Sequence, residues 1–244
     1  MGIVPKHPFP METIFKTCFL VNFGMDPEVL SRLLPHPIKP DLHNDEAFIS
    51  IVISNLHDTR PAFLPKGFGF NFSQIVYRAI VRCNGERGVH FLRSDADNRF
   101  MCLTGNMFSF FHFNYASIQQ LRSGNQHSIK VRTKGGEADI SACYDLEKTT
   151  NKTPRNSVFG NLDDAKEYFA ELYVAFSTIP GHTTAVRIDR TNWDLGFVSD
   201  ENAEYSFMNG SNNFPTDSTR LDSIFYVEDL FYHWHVLEKS KIAL

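Results

Sequence analysis

The chain has 244 residues, 42% of them hydrophobic, and a formal net charge of −4. This length suffices for one large domain with a full core, and the lack of a long basic run argues against nucleic acid or an anionic membrane surface as the main partner. No apolar stretch approaches the ~20 residues that a membrane helix needs. We therefore expect a cytoplasmic protein that binds neither nucleic acid nor membrane.

Apolar runs that alternate with polar residues, or that are short and bounded by turn residues, predict many strands. They fall at residues 15–23, 47–53, 70–82, 89–93, 129–133, 138–144, 183–189 and 224–236, whereas the polar residues 147–161 and 199–223 are predicted to form loops. Because strands and helices do not alternate regularly, the pattern favours an antiparallel sheet that curls or closes on itself.

Two helices are predicted between the strands. The first covers residues 27–34, where Asp26 can cap the helix and Pro27 suits its first position. The second covers residues 162–176, whose apolar side chains follow a helical period. These elements indicate a single α+β domain over residues 1–244, mostly antiparallel sheet, with two main flanking helices.

Several blocks of the sequence, taken in their order along the chain, point to a known superfamily. They are residues 25–30 (MDPEVL) followed by 33–35 (LLP), residues 88–97 (GVHFLRSDAD), residues 171–173 (ELY), Trp193 with Leu195, and residues 226–236 around Trp234. In this order they resemble the acetoacetate decarboxylase-like superfamily, in its branch of uncharacterised bacterial domains of unknown function. The resemblance implies a cone-like β-barrel with a partly apolar interior cavity.

The resemblance does not imply decarboxylation, because the matching region lacks the lysine that those decarboxylases use. They present it in a Gly-Phe-Pro-Lys-Lys run, whereas this chain reads Ser-Phe-Phe-His-Phe over residues 109–113 and has no lysine between Lys66 and Lys130. A Schiff base needs a primary amine whose pKa is lowered, which His112 cannot supply. We therefore predict no Schiff-base decarboxylation of acetoacetate, and we expect no cofactor.

The aromatic run supplies most of the candidate pocket residues. Considered as an extended strand, it has Phe108, Phe110, His112 and Asn114 on one face, in the place where the superfamily's catalytic run maps. His112 is the candidate catalytic residue, because the unperturbed pKa of an imidazole is close to neutrality. The alternative is a core histidine bonded to a backbone carbonyl.

The preceding strand supplies the remaining candidates. Gln74 and Arg78 share one face of the predicted strand with Arg82, and Gln74 stands where the superfamily often has a glutamate. If that face is interior, Arg78 or the nearby Arg93 can hold a carboxylate in bidentate geometry. The alternative is that Arg78 and Arg82 lie on the outer surface or pair with acids.

Two further charge patterns have structural explanations. Arg93, Asp95, Asp97 and Arg99 alternate in sign, which suits either a proton-handling pair of acids or a charge ladder that fixes the end of a sheet, and the ladder is the favoured interpretation. The spacing of His233-Trp234-His235 is compatible with two metal ligands, but no acidic partner lies nearby in sequence. We therefore predict no metal site.

Two functions remain open from the sequence. In the first, a superfamily-like cavity binds or acts on a small carbonyl or carboxylic-acid compound. In the second, the protein is structural or accessory and its own phenylalanine rings fill the barrel. An open cavity above ~300 Å³ with convergent polar groups favours the first. The sequence decides neither whether the protein is an enzyme nor whether it forms a homo-oligomer.

Overall fold

The computed structural model describes residues 6–150, 154, 157–170, 172–191, 193–200, 202–209, 214–215 and 217–241. Their strands are β1 (Met11–Met25), β2 (Lys39–Pro40), β3 (Leu42–His43), β4 (Glu46–Pro61), β5 (Phe70–Cys83), β6 (Glu86–Ala96), β7 (Phe113–Tyr115), β8 (Ser117–Ser123), β9 (Gln126–Arg132), β10 (Ile140–Thr150), β11 (Val174–Ile179), β12 (His182–Arg190), β13 (Gly196–Asp200), β14 (Glu204–Tyr205) and β15 (Thr219–Lys241). Their α-helices are α1 (Pro27–Ser31), α2 (Arg99–Phe108) and α3 (Leu162–Ala170).

Seven strands close into a barrel in the order β1-β4-β5-β6-β11-β12-β15, and β15 returns to pair with β1. Every neighbouring pair is antiparallel except β6 and β11, which meet in a short parallel contact at Val89 and His90. Gly88 allows the close approach there, because a Cβ at this position would lie 2.3 Å from the carbonyl oxygen of Val174. The predicted α+β barrel, built mostly of antiparallel strands, is confirmed.

Strands β1, β4 and β5 are buried on both faces. On one face, side chains such as Ile51 and Ile75 pack against the layer formed by β8, β9 and β10, which contributes Ile129. On the other face, Val52 and Val76 point into the barrel. Burial on both faces explains why β4 reads as an apolar run rather than a strict alternation. The two clusters share these strands as a common wall, and the single-domain organisation stays a prediction.

The helices differ from the sequence prediction in extent and number. The cap at Asp26 is present, since its carboxylate accepts the backbone N–H of Glu28 at 2.7 Å, but α1 ends at Ser31. The second predicted helix ends at Ala170, and Phe176 lies in β11, where the first four of the six side chains are buried. Helix α2 was not predicted. Its N-cap is Asn98, whose side chain accepts the backbone N–H of Met101.

The two predicted loops are only partly loops. Residues 147–150 continue β10, and the region 199–223 contains β14 and the beginning of β15. Residues 151–153, 155–156, 201, 210–213 and 216 lie outside the described residues, as does Glu171 of the third sequence block. No helix in the described ranges is both long enough and apolar enough to cross a bilayer.

Candidate functional site

A cavity of about 300 Å³ opens into the barrel from the end that helix α2 covers. Barrel strands, α2 and the N-terminal segment before β1 all contribute to its walls, which consist mainly of aliphatic and aromatic side chains. Ligand pockets in proteins typically start at this volume and combine apolar walls with a few polar groups. The barrel is therefore not completely filled by its own rings.

Exposure along β5 identifies the open and closed ends of the cavity. Phe70 at the start of the strand is 46% exposed, whereas Gln74 and Arg78, on the same face, are 9% and 7% exposed. Ile80, the next residue on this face, is fully buried in the cluster that also contains Phe169 of α3. The cavity thus opens beside Phe70 and ends at Arg78.

At the closed end of the cavity lies Arg78, a cation that has no counter-ion among the described residues. Its Nε is buried and has no hydrogen-bond partner, and no ion pair to its guanidinium occurs among the described residues. Burial lowers the pKa of Arg78 from its ordinary value, and the positive charge of Arg190 lowers it further. Tyr232 and Cys18 oppose this shift. An arginine remains protonated even so. The fold therefore holds a positive charge that an anion entering the cavity would stabilise.

Further polar groups face the same space from other strands. Tyr232 of β15 lines the cavity and stacks on Phe15 of β1, with ring centroids 4.3 Å apart and planes within 2°. Nearer the mouth, the hydroxyls of Thr13 and Thr59 are hydrogen-bonded to each other at 2.7 Å. Sequence reasoning missed these residues. The only available signal was the strand alternation that places Tyr232 and Trp234 on one face, since barrel closure is needed to bring β15 beside β1.

The N-terminal segment crosses the cavity mouth and contributes His7. The backbone N–H of His7 donates to Phe108 O at 2.6 Å, and its carbonyl accepts the N–H of Leu237 at 3.3 Å, so the segment joins α2 to β15. The His7 ring lies 5.1 Å from the ring of Phe111, and its Nε2 is buried without a partner. Burial, aided by Lys6, lowers the pKa of His7 to about 4, so the ring is neutral at pH 7. No pattern in the sequence pointed to this residue.

Three of the predicted site residues line the cavity. Gln74, Arg78 and Phe108 do so, and Phe108 extends from the last turn of α2. Arg78 therefore faces the barrel interior rather than the outer surface. Arg82 is instead 53% exposed on its side chain and pairs with Asp41, which matches the structural alternative.

The predicted face formed by residues 108–114 is wrong, because this run is the end of a helix followed by a turn. His112 has a φ of +50° and an exposed side chain, and it is not among the cavity residues. Phe110 lies outside as well, with the Lys6 ammonium 5.4 Å from its ring centroid. The exposed Asn114 donates to Ser94 O at 3.3 Å. Phe111 and Phe113, on the opposite parity, line the cavity together with Phe108.

Arg93 is also outside the cavity, held by acids. Its Nε lies 2.8 Å from a carboxylate oxygen of Asp95, and its Nη1 lies 3.2 Å from Glu137. Asp95 is fully buried, and burial raises the pKa of its carboxyl although Arg93 opposes the shift. For Arg93 and Asp95 this arrangement corresponds to the charge ladder, since they pair with each other rather than facing the cavity, whereas Asp97 instead accepts the backbone N–H of Ser73 at 2.9 Å.

The two histidines of β15 each have an acidic neighbour from another strand. His235 Nε2 lies 2.7 Å from Asp189, and His233 Nδ1 lies 3.5 Å from Glu12. Across the described parts of the chain, no group of three or more His, Cys, Asp or Glu side chains is arranged to hold a metal ion.

Comparison with known proteins identifies the family. Residues 14–236 match the DUF2071 family, described as an uncharacterized conserved protein. The chain belongs to the DUF2071 family. A curated relative, the uncharacterized protein YqjF of Bacillus subtilis strain 168, is 26% identical over 178 residues, which cover 72% of this chain and 70% of YqjF.

Solved structures show the same fold at low sequence identity. Acetoacetate decarboxylase from Legionella pneumophila subsp. pneumophila str. Philadelphia 1 matches with a TM-score of 0.64 and 13% identity, over 100% of this chain and 90% of that one. The enduracididine biosynthesis enzyme MppR, in complex with pyruvate, matches with a TM-score of 0.61 and 12% identity, over 97% and 92% of the two chains. The DUF2071 chain therefore has an acetoacetate decarboxylase-like fold, as its sequence blocks indicated.

Proposed function

We propose that this protein binds, or acts on, a small carboxylic-acid or carbonyl compound inside the barrel, without forming a lysine Schiff base. The observation that carries the proposal is Arg78, a buried guanidinium that has no acidic partner among the described residues and lies at the closed end of an apolar cavity. Burying an unpaired charge is unfavourable, and a bound carboxylate supplies both the counter-charge and the missing hydrogen-bond acceptor.

The other cavity groups fit the same type of ligand. Gln74 lies four residues nearer the mouth than Arg78 on the same face of β5, and its amide can donate to a carbonyl oxygen. Tyr232 can donate to an acid held by Arg78. MppR, a protein of the same fold, was crystallised with pyruvate, which is a small keto acid. The alternative of a structural barrel filled by phenylalanine rings predicts no such space, and the open cavity of about 300 Å³ weighs against it.

Binding measurements on two variants test the role of Arg78. Isothermal titration of butanoate, acetoacetate and benzoate, with butanamide and benzamide as neutral counterparts, compares wild type with Arg78→Met. Since hydrogen bonds to charged groups contribute about 1.5–3 kcal/mol, we expect the carboxylates to bind Arg78→Met about 10- to 100-fold more weakly. Arg132→Met is the matched control, because Arg132 is 56% exposed and pairs with Asp139 on the surface. Equal carboxylate affinity in wild type and Arg78→Met would refute the proposal.

The absence of Schiff-base chemistry has its own test. The basic side chains in the described cavity wall are those of Arg78 and His7, and Lys16, on the first strand, is exposed and paired with Asp229 at 2.6 Å. Neither imidazole nor guanidinium can serve as the primary amine that the reaction needs. After incubation with acetoacetate and borohydride, we expect the intact mass to be unchanged, whereas an authentic acetoacetate decarboxylase treated in parallel gains an adduct. A stoichiometric adduct on any lysine, with release of carbon dioxide, contradicts the proposal.

A further inference from the structure

We propose that the preferred ligand is an amphipathic acid: a carboxylate with an unbranched or aryl-terminated apolar tail, about ten non-hydrogen atoms in all. This inference rests on the proposed function and specifies the substrate class of the same site. It follows from the separation of polar and apolar groups along the cavity and from the chemistry of its rim.

At one end the cavity has Arg78, which pairs with no acid among the described residues, and elsewhere its walls are mainly apolar, interrupted by Gln74 and the Thr13–Thr59 pair. From Arg78 to Phe70 at the mouth, β5 advances by eight residue steps, or about 26 Å of strand, so the space is elongated rather than round. Between these ends the same face carries Val76 and Phe72, and Leu56 faces them from β4. An acid as small as acetate would occupy only the region around Arg78 and would leave this apolar wall uncovered.

The volume limits the length of the tail. Taking the ~30 Å³ share of one water molecule for each non-hydrogen atom, a cavity of about 300 Å³ holds roughly ten such atoms. Octanoate and phenylacetate each have this size. Burial of a methylene is favourable by about 0.8 kcal/mol, so each added methylene should tighten binding about fourfold until the cavity is full.

The rim of the cavity is also apolar. Phe100 of α2 is 51% exposed and lies 5.1 Å from the ring of Phe70, while Phe63 is 70% exposed and lies 5.6 Å from Phe9 of the N-terminal segment. These rings continue the apolar wall out to solvent. An acid with a polar tail would have to lose hydration on passing these rings, whereas an alkyl or aryl tail gains contacts with the apolar walls.

The test is a titration series of unbranched acids from acetate to dodecanoate, with octanamide as the neutral counterpart. We expect affinity to rise about fourfold per methylene up to about octanoate and then to level off. Arg78→Met should weaken octanoate binding about 10- to 100-fold and octanamide binding much less, because a neutral amide gains less than a carboxylate from the guanidinium. Phenylacetate should bind with an affinity similar to that of octanoate.

Two variants locate the tail. Thr104→Phe adds a ring on the cavity face of α2, so we expect it to move the plateau to shorter acids. Phe100→Ala removes a rim ring and should weaken only the longest acids. Leu121→Ser is the matched surface control, because Leu121 is 70% exposed on β8 and does not line the cavity. Melting curves of all variants verify that they fold.

The outcomes separate the two proposals. If no carboxylate binds, the proposed function itself fails. If acids bind through Arg78 but acetate binds as tightly as octanoate, the proposed function stands and the amphipathic ligand is refuted. A series that keeps rising all the way to dodecanoate, or a plateau that Thr104→Phe does not shorten, also refutes it, because the tail would then lie outside the cavity.

Discussion

Replacement of Arg78 by methionine should stabilise the ligand-free protein. A residue that holds a fold together leaves a defect when it is removed, whereas a residue retained for ligand binding carries a stability penalty. Arg78 is 7% exposed, and its Nε has no hydrogen-bond partner in the described part of the chain. Methionine is similarly unbranched and long, fills irregular apolar space, and brings neither charge nor donor.

The size of the expected gain in stability follows from the hydrogen bonds and ion pair that the buried Arg78 guanidinium lacks among the described residues. A buried donor without a partner costs about 1–3 kcal/mol, and replacing buried charged groups with well-packed apolar ones is often stabilising by 1–4 kcal/mol. We therefore expect Arg78→Met to raise the free energy of unfolding by about 1–3 kcal/mol. In a protein of this size each kcal/mol corresponds to roughly 2–4 °C in the melting temperature.

Urea and thermal unfolding of the ligand-free protein measure this difference. Arg132→Met should stay within about 0.5 kcal/mol of wild type, because exposed ion pairs contribute little. A loss of more than about 1 kcal/mol in Arg78→Met would refute the reasoning, since breaking a satisfied buried pair destabilises strongly. Gain of stability together with loss of carboxylate binding would mark Arg78 as a binding residue.

Three more predictions concern other parts of the fold. Asp41→Asn replaces a buried carboxylate that pairs with Arg82 and Arg87, and it should lower the free energy of unfolding by about 2–3 kcal/mol. An unchanged urea midpoint would contradict this. Gly88→Ala places a Cβ 2.3 Å from Val174 O and should destabilise the protein by about 1–3 kcal/mol. Amide hydrogen exchange in β6 and β11 should then be faster, and exchange at the wild-type rate would contradict the prediction. For His7, the folded pKa of about 4 lies below the ordinary histidine value of 6.5, so the unfolded chain binds more protons and stability falls as pH drops from about 6.5 to 4. His7→Phe should abolish that part of the pH dependence, and identical pH profiles for the two proteins would contradict it.

The sequence was sufficient for the barrel because local pattern and long-range pairing agree there. Residues 70–82 alternate with period two, and β5 extends over nearly the same residues. Helix α2 was missed because the surrounding aromatic run was interpreted as extended. Its signals were present in the capping residue Asn98 and in the spacing of Phe100, Thr104 and Phe108, which now form one face over the cavity. Without the tertiary context, a short aromatic run fits a strand equally well.

The candidate site was predictable only where one strand determines it. Gln74 and Arg78 share a face of β5, and strand periodicity alone places them together. His112 was misplaced because a positive φ reverses the alternation, which residue type does not reveal outside glycine. His7 and Tyr232 come from the two ends of the chain, so only the pairing of β1 with β15 and the path of the N-terminal segment bring them to the cavity.

The difference between an arginine and a lysine in this barrel determines which reactions the cavity can support. A buried lysine loses its proton readily and becomes a nucleophile, whereas a guanidinium keeps its charge in the same surroundings. Arg78 can therefore hold and orient an acid through a planar pair of donors, but it cannot attack a carbonyl carbon. Any chemistry that follows binding would come from the other polar groups that line the cavity, such as Tyr232, Gln74 and the Thr13–Thr59 pair. On the proposed function, the carboxylate end of the ligand is thus the end that is held, and the segment nearer Gln74 is the one exposed to reaction.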